Sequence, residues 1–410
     1  MSNKKFVVKK EKGIIIFIMI KRGIATFTLD YGQCPKWLFE RMVKLGREIV
    51  SIISQEYGPD EFVKRIADPV WFQSLGTVLA FDWNASGLTT ILTAALKESI
   101  RGQEKELGIF ICGGKGKTSR KTPEEIEKWG TSLSLPEGKT LELVQSSKLT
   151  AKVDTSLIQD GYQIYHHSFF FSENGSWAVV QQGMKTENQT ARRYHWFKSA
   201  KEKIDFVEEP HKGIVSQLKS PTLNLSAKRS RKNREVSLEI VSRGNYQSFF
   251  KDLRILRKHS DKLSKMITLK YQNKEFTLLN LARNEFSWHP VLLEDFSKSR
   301  YLEKIFSKIY GIKPKNYQEL LSIKGVGPKT IRALSLVSEV IYGAEPSYQD
   351  PARYSFAHGG KDATPYPVDR RTYDSTISIL EKAIKKAKIE NKEKNLAIQR
   401  LENLISQNYG

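Results

Sequence analysis

Cysteine is nearly absent from this chain of 410 residues, where only Cys34 and Cys112 occur. Two thiols exclude a disulfide framework and any cysteine-rich zinc centre, and they fit a reducing cytoplasm. Acid is scarce relative to base. Asp and Glu number 45 against 67 Lys and Arg, a net charge of +22. An ion-pair-rich surface would enrich both signs together. An excess of one sign favours a polyanionic partner instead. Long apolar runs are missing too. Residues 14–20 (IIIFIMI) are too few to span a bilayer, and no small-residue cleavage site follows before Lys21 and Arg22. No membrane partner is expected, and the run reads as a buried strand or an extension ahead of a start near Met19. No repeat of solenoid period is visible, and neither is a carboxylate cluster of nuclease type.

The chain is long enough for two domains, and 39% hydrophobic residues suffice for proper cores. The pattern predicts the α+β class. After an extension over 1–19, a mixed α/β domain runs over 20–205, a basic linker over 206–240, and an all-α domain over 241–410. Residues 37–57 carry Leu38, Met42, Leu45, Ile49 and Ile53 at helical spacing. Helices are also expected from Pro59 and over 69–81 and 87–100, and strands over 24–29 and 107–114. Residues 162–171 and 176–184 form a hairpin across Asn174-Gly175. In the segment 228–234 (KRSRKNR), five of seven residues are basic. It reads as an exposed linker or as a phosphate-contacting arm. One amphipathic helix is expected over 374–407.

The most informative stretch is 321–332, LSIKGVGPKTIR. Gly325, Val326 and Gly327 form a turn between two apolar helical segments, and Lys329, Thr330 and Arg332 open the second. A glycine turn lets the main chain approach a ligand closely. The helix that follows offers unpaired amides and a positive dipole end, which together suit a phosphate. The pattern resembles the helix-hairpin-helix of DNA-repair proteins.

Beyond the hairpin comes Tyr366-Pro367-Val368-Asp369-Arg370, with a helix after it. Hairpin followed by Pro-Val-Asp is similar to the helix-hairpin-helix-GPD group of base-excision DNA glycosylases. The resemblance implies that Lys329 attacks the sugar C1′, as in bifunctional members, and that Asp369 stabilises cationic charge on the sugar. Such chemistry is sound: a carboxylate stabilises an oxocarbenium-like state, a lysine of lowered pKa forms a Schiff base, and the base must leave the duplex. Read from the residues alone, Lys329 could equally meet only phosphate, and Asp369 could be only a helix cap. The intervening residues 344–365, longer than is usual in that group, hold Asp350, Arg353, His358 and Asp362.

The first half resembles an uncharacterised prokaryotic family, domain of unknown function 763. The likeness is carried by KRGIATFTLDYG (21–32), DPVWFQSLGTVLAFDWNASGLTT (68–90), GIFICGGKGKTSRKTP (108–123) and YHHSFFFSENGSWAVVQQGM (165–184). It extends through nearly the whole chain and implies no established activity.

Further candidates come from the residues. The stretch 113–118, GGKGKT, misses the spacing of a nucleotide-binding phosphate loop. Lys115 and Lys117, with Arg120 and Lys121, would instead face a nucleic-acid backbone. His166 and His167 sit on one strand and therefore point to opposite faces. Either could act with Gln181 or Gln182 as acid and base on a phosphodiester, or be a hydrogen-bonded core histidine. Asp82 is a lone acid or a helix cap. In 192–201 (RRYHWFKSAK), Arg192 and Arg193 would hold phosphates while Trp196 stacks on an unpaired base, unless this is a core strand. The sequence thus predicts a DNA-binding protein of repair or processing, acting as a glycosylase/lyase or a nuclease. The alternative is a non-enzymatic DNA- or RNA-binding module. No cofactor is indicated, beyond a divalent metal in the nuclease case.

Overall fold

The computed structural model describes residues 7–11, 14–18, 34–79, 85–259, 267–271, 274–278, 300–352 and 370–409. A strand pair, β1 (Val7–Glu11) and β2 (Ile14–Ile18), comes first. Four helices follow: α1 (Lys36–Tyr57), α2 (Pro59–Ile66), α3 (Pro69–Val78) and α4 (Ala85–Ser99). The short α5 (Glu104–Leu107) leads into β3 (Ile109–Lys115), and α6 (Thr122–Ser132) and α7 (Glu137–Ser156) come next. The strands β4 (Ile158–Gln159), β5 (Gln163–Ser172), β6 (Trp177–Lys185), β7 (Thr190–Lys198), β8 (His211–Ser216) and β9 (Leu223–Asn224) are then consecutive. The rest comprises α8 (Arg231–Ser242), α9 (Tyr246–His259), β10 (Ile267–Tyr271), β11 (Lys274–Leu278), α10 (Arg300–Ile312), α11 (Tyr317–Ser322), α12 (Pro328–Val340), α13 (Arg370–Lys386) and α14 (Asn391–Tyr409).

Local chemistry explains many boundaries. The buried face of α1 is Leu38, Met42, Leu45, Ile49 and Ile53, one helical stripe. Gly58 ends that helix at φ +85°, and Pro59 opens the next. The Asp68 carboxylate caps α3 by accepting from the amides of Val70 and Trp71 at 2.8 and 3.1 Å.

Five strands form one antiparallel sheet in the order β3-β5-β6-β7-β8. Both of its faces are covered, and apolar residues line both sides of its strands. Phe110, Cys112, Phe169, Phe171, Trp177, Val179 and Trp196 line one face, against α6 and α7, and α8 to α12 continue the same core beyond α7. Phe110 and Phe171 stack there at 4.9 Å, and Phe169 and Trp177 at 5.5 Å. Ile109, Ile111, Phe170, Ala178 and Val180 line the other face, against α1 to α4 together with Leu380, Ile384 and Leu401 of α13 and α14. Residues from both ends of the sequence therefore complete the cores on one sheet.

Three expectations change. Residues 206–240 are not an exposed linker: they include β8, β9 and most of α8. Arg234 of the basic stretch turns inward, donating to the carbonyls of Leu225 and Ala227 at 2.6 and 2.8 Å and to Glu208 at 2.6 Å. The stretch expected to be all helix contains the β10–β11 pair, whose Ile267, Thr268, Tyr271, Phe276 and Thr277 are β-branched or aromatic. The expected helix over 374–407 is two helices, broken between Lys386 and Asn391. The expected strand over 24–29, Met19, Asp82, Arg353, His358, Asp362 and Asp369 lie outside the described residues.

Candidate functional site

The hairpin region is a helix, a turn and a helix. Leu320 and Leu321 of α11, Val326 of the turn, and Ile331, Leu334 and Val337 of α12 are buried in the core beside the sheet. The opposite side of the turn faces out: Lys324, Pro328 and Lys329 are exposed, and Gly325 and Gly327 are half-buried. Tyr301 donates to the Gly325 carbonyl at 2.7 Å, and Lys308 to the Lys324 carbonyl at 3.3 Å.

The two glycines differ. Gly325 sits at φ +101°, and a Cβ there would collide with the Ile305 side chain. Its glycine is a requirement of the fold. Gly327 is extended, at φ −151° and ψ −171°, with nothing within 4 Å of a would-be Cβ. The protein's own packing does not require glycine there.

Not every residue expected at this turn reaches the surface. Val326 and Thr330 are 2% and 1% exposed, main chain included, so the surface of the turn is formed by their neighbours. Arg332 is half-buried, and its Nε donates to Gln159 Oε1 at 2.6 Å. The amide of the same Gln159 donates to the Pro328 carbonyl at 3.1 Å.

The glycine turn after β3 is also at the surface, with Lys115, Lys117, Arg120 and Lys121 exposed. Gly113, Gly114 and Gly116 have positive φ, at +87°, +146° and +61°. The Gly113 amide is already occupied, donating to Glu125 Oε2 at 2.8 Å, while Lys97 bridges Glu125 and the Gly113 carbonyl.

The expected strand candidates are core groups. Arg192, Arg193 and Trp196 are fully buried in β7, an interior strand, so they do not offer a platform to a nucleic acid. His166 and His167 do point to opposite faces, and each is buried. His166 Nε2 lies 3.1 Å from the hydroxyls of Thr93 and Ser168. Burial pushes its pKa down to about 3. His167 Nδ1 meets Gln181 Oε1 at 2.7 Å and its Nε2 meets Ser147 Oγ at 2.9 Å. The Gln181 amide donates onward to Asp154, so its Oε1 must accept. The network thus assigns the His167 proton to Nδ1. At 1% and 5% exposure neither ring reaches a substrate outside.

Asp154, 0% exposed, is the hub of this network. Besides Gln181, it accepts from Trp196 Nε1 at 3.0 Å and from His211 Nε2. A second buried group lies beside it. Arg192 Nη1 donates to Asp160 at 3.0 Å and Nη2 to Asp350 at 2.7 Å, with side-chain exposures of 0%, 1% and 5%. Tyr194 donates to Asp160 at 2.6 Å. Burial opposes the Arg192 charge, but Asp160, Tyr194 and Asp350 outweigh it and hold the guanidinium above its usual range.

Both groups border a cavity of about 210 Å³, lined by Glu209, His211, Asn224, Ser226 and Asp350 among others. Glu209 stands at φ +46°, a strained setting for a side-chain-bearing residue, with its amide bonded to the Ser226 carbonyl at 2.8 Å. Sequence reading missed Asp154, Asp160 and His211. His211 is distant from the two aspartates in the chain, and nothing in the local sequence marks any of the three.

These features define an α+β protein on one antiparallel sheet, with a surface glycine hairpin and a separate polar pocket. The chain belongs to the family described as "Protein of unknown function (DUF763)", which matches residues 23–368. No curated protein and no solved structure matches it. Among the described residues, no helix is long and apolar enough to cross a membrane. No group of three or more His, Cys, Asp or Glu side chains is placed to hold a metal ion among them either.

Proposed function

We propose that this protein binds DNA, docking on the phosphate backbone through the turn at Lys324–Thr330 and acting in DNA repair or processing. The observation that carries the reading is Gly327. Its backbone is extended and its surroundings are open, so glycine there keeps an exposed surface clear for close approach. Lys324 and Lys329 flank that surface, and the positive end of α12 lies behind it. A chain of net charge +22 supplies the long-range attraction.

A lyase role for Lys329 and a charge-stabilising role for Asp369 extend this reading, by likeness to the helix-hairpin-helix-GPD glycosylases. Borohydride trapping on abasic-site DNA tests it, and a covalent adduct lost in Lys329→Ala is the expected result.

Docking itself is tested with Gly327→Val. Valine adopts the extended backbone readily, and replacing the helix-capping glycine costs the fold under about 1 kcal/mol. Duplex affinity should fall at least about tenfold while the thermal midpoint barely moves. Unchanged affinity would remove the hairpin as the contact. Binding that survives only on RNA would move the proposal to the RNA-binding alternative.

A further inference from the structure

We propose that the cavity beside β8 is a binding pocket for an unpaired nucleobase or nucleoside, with His211 as its proton-donating or proton-accepting contact. The proposal rests on the DNA-docking reading for the origin of the base and on separate geometry for the pocket.

The lining decides the chemistry. In a strongly basic protein, this cavity has no lysine or arginine among its described lining residues. Its charged lining groups, Glu209 and Asp350, are acidic. Arg192 stands behind Asp350, already shared with Asp160. A phosphate would be repelled here. A metal ion has no ligand cluster among the described residues. An uncharged ring with donors and acceptors on its edge is the favoured occupant, because the lining also offers Asn224, Ser226, Ser347 and Gln349. At about 210 Å³ the cavity is smaller than drug-sized sites of roughly 300–1,000 Å³, which suits one planar ring system.

His211 is pre-oriented. Its Nε2 is fixed by Asp154, and Asp154 is fixed in turn by Gln181 and Trp196. Trp196 packs on the imidazole with ring centroids 4.4 Å apart. Such a doubly held histidine needs no reordering to meet a ligand. The strained Glu209 at the rim is a second sign that this segment is shaped for something other than stability.

The pocket also adjoins the hairpin. Gln159 of β4 holds both Pro328 and Arg332 at the start of α12. Its neighbour Ile158 pairs with Asn224 of β9, which walls the cavity. A strand held at the hairpin therefore passes close to the pocket, and its phosphates stay outside on the basic surface.

The test titrates the full-length protein with free adenosine, guanosine, cytidine and thymidine, and separately with inorganic phosphate, following the His211 imidazole signals by NMR. At least one nucleoside should shift them saturably, and phosphate should not. The half-exposed Ala227 also borders the cavity, and Ala227→Phe should abolish the shift while leaving the unfolding midpoint in place. His211→Asn, read by calorimetry, should weaken binding about tenfold, as loss of one strong hydrogen bond would. A duplex with one unpaired base that displaces the nucleoside assigns the base to a strand. Failure to displace assigns the pocket to free nucleosides. No shift with any nucleoside, an equal shift with phosphate, or undiminished binding by Ala227→Phe would overturn the proposal. Loss of duplex binding alone would sink only the docking reading, because the nucleoside titration contains no DNA.

Discussion

Lowering the pH from 7 to 5 should destabilise this protein steeply. His166, His167 and His195 are 1%, 5% and 0% exposed, and burial lowers the pKa of each. His166 falls to about 3, and His195 lies well below its usual range. In the unfolded chain all three titrate near 6.5. Their folded values are depressed, so the stability they allow is present above about pH 6.5 and is lost as the pH falls toward the folded values. His166 and His195, whose folded values lie far below 6.5, each cost on the order of 1 kcal/mol per pH unit below that point, and His167 adds to the loss in the same direction. A domain's whole stability is about 5–15 kcal/mol. Urea midpoints measured from pH 7.5 to 4.5 should therefore drop steeply below 6.5. A midpoint flat down to 4.5 would contradict the buried, neutral state of these rings.

The second large effect is expected from Arg192→Met. The guanidinium stands between Asp160 and Asp350, all three nearly fully buried. Methionine fills much of the same space but leaves two carboxylates facing each other without a cation. Removing one partner of a buried pair costs about 3–5 kcal/mol. Asp350 also accepts from the amide of Ser220 at 2.9 Å, so the chain around 344–352 should loosen from the sheet as well. Adding Asp160→Asn and Asp350→Asn to Arg192→Met should recover much of the loss. Denaturant unfolding of the single and triple variants checks this. A single variant within about 1 kcal/mol of the native protein would show the site to be solvated.

Much of the secondary structure was legible because it is written in short periods. The stripe from Leu38 to Ile53, the Asn174-Gly175 hairpin and the opposite facing of His166 and His167 follow from helical and strand repeats alone. The glycine hairpin was legible for the same reason. Its sharper point was not: Gly325 serves the fold, whereas Gly327 leaves surface free, and the distinction depends on Ile305 packed against one and not the other.

The errors on the strand candidates share one cause. Arg192, Arg193 and Trp196 alternate along a strand just as a nucleic-acid platform would. Their buried state depends on partners far off in the chain, Asp160 and Asp350 for Arg192 and Asp154 for Trp196. Of the basic residues in the stretch at 228–234, only Arg234 departs from the exposed reading, capping carbonyls in the loop ahead of α8, while Lys228, Arg229, Arg231 and Lys232 stay exposed. The Asp154–His211 pair spans two elements, α7 and β8, that only the folded sheet brings together.

Duplex DNA affinity measured across a series of salt concentrations tests the central claim most directly. The native protein should give a straight log–log plot with a negative slope, reflecting counterion release from several phosphates. Lys329→Ala should weaken binding evenly across sequences and reduce the slope by about 1. An affinity independent of salt, or a Lys329→Ala plot that overlays the native one, would contradict a phosphate contact at this turn.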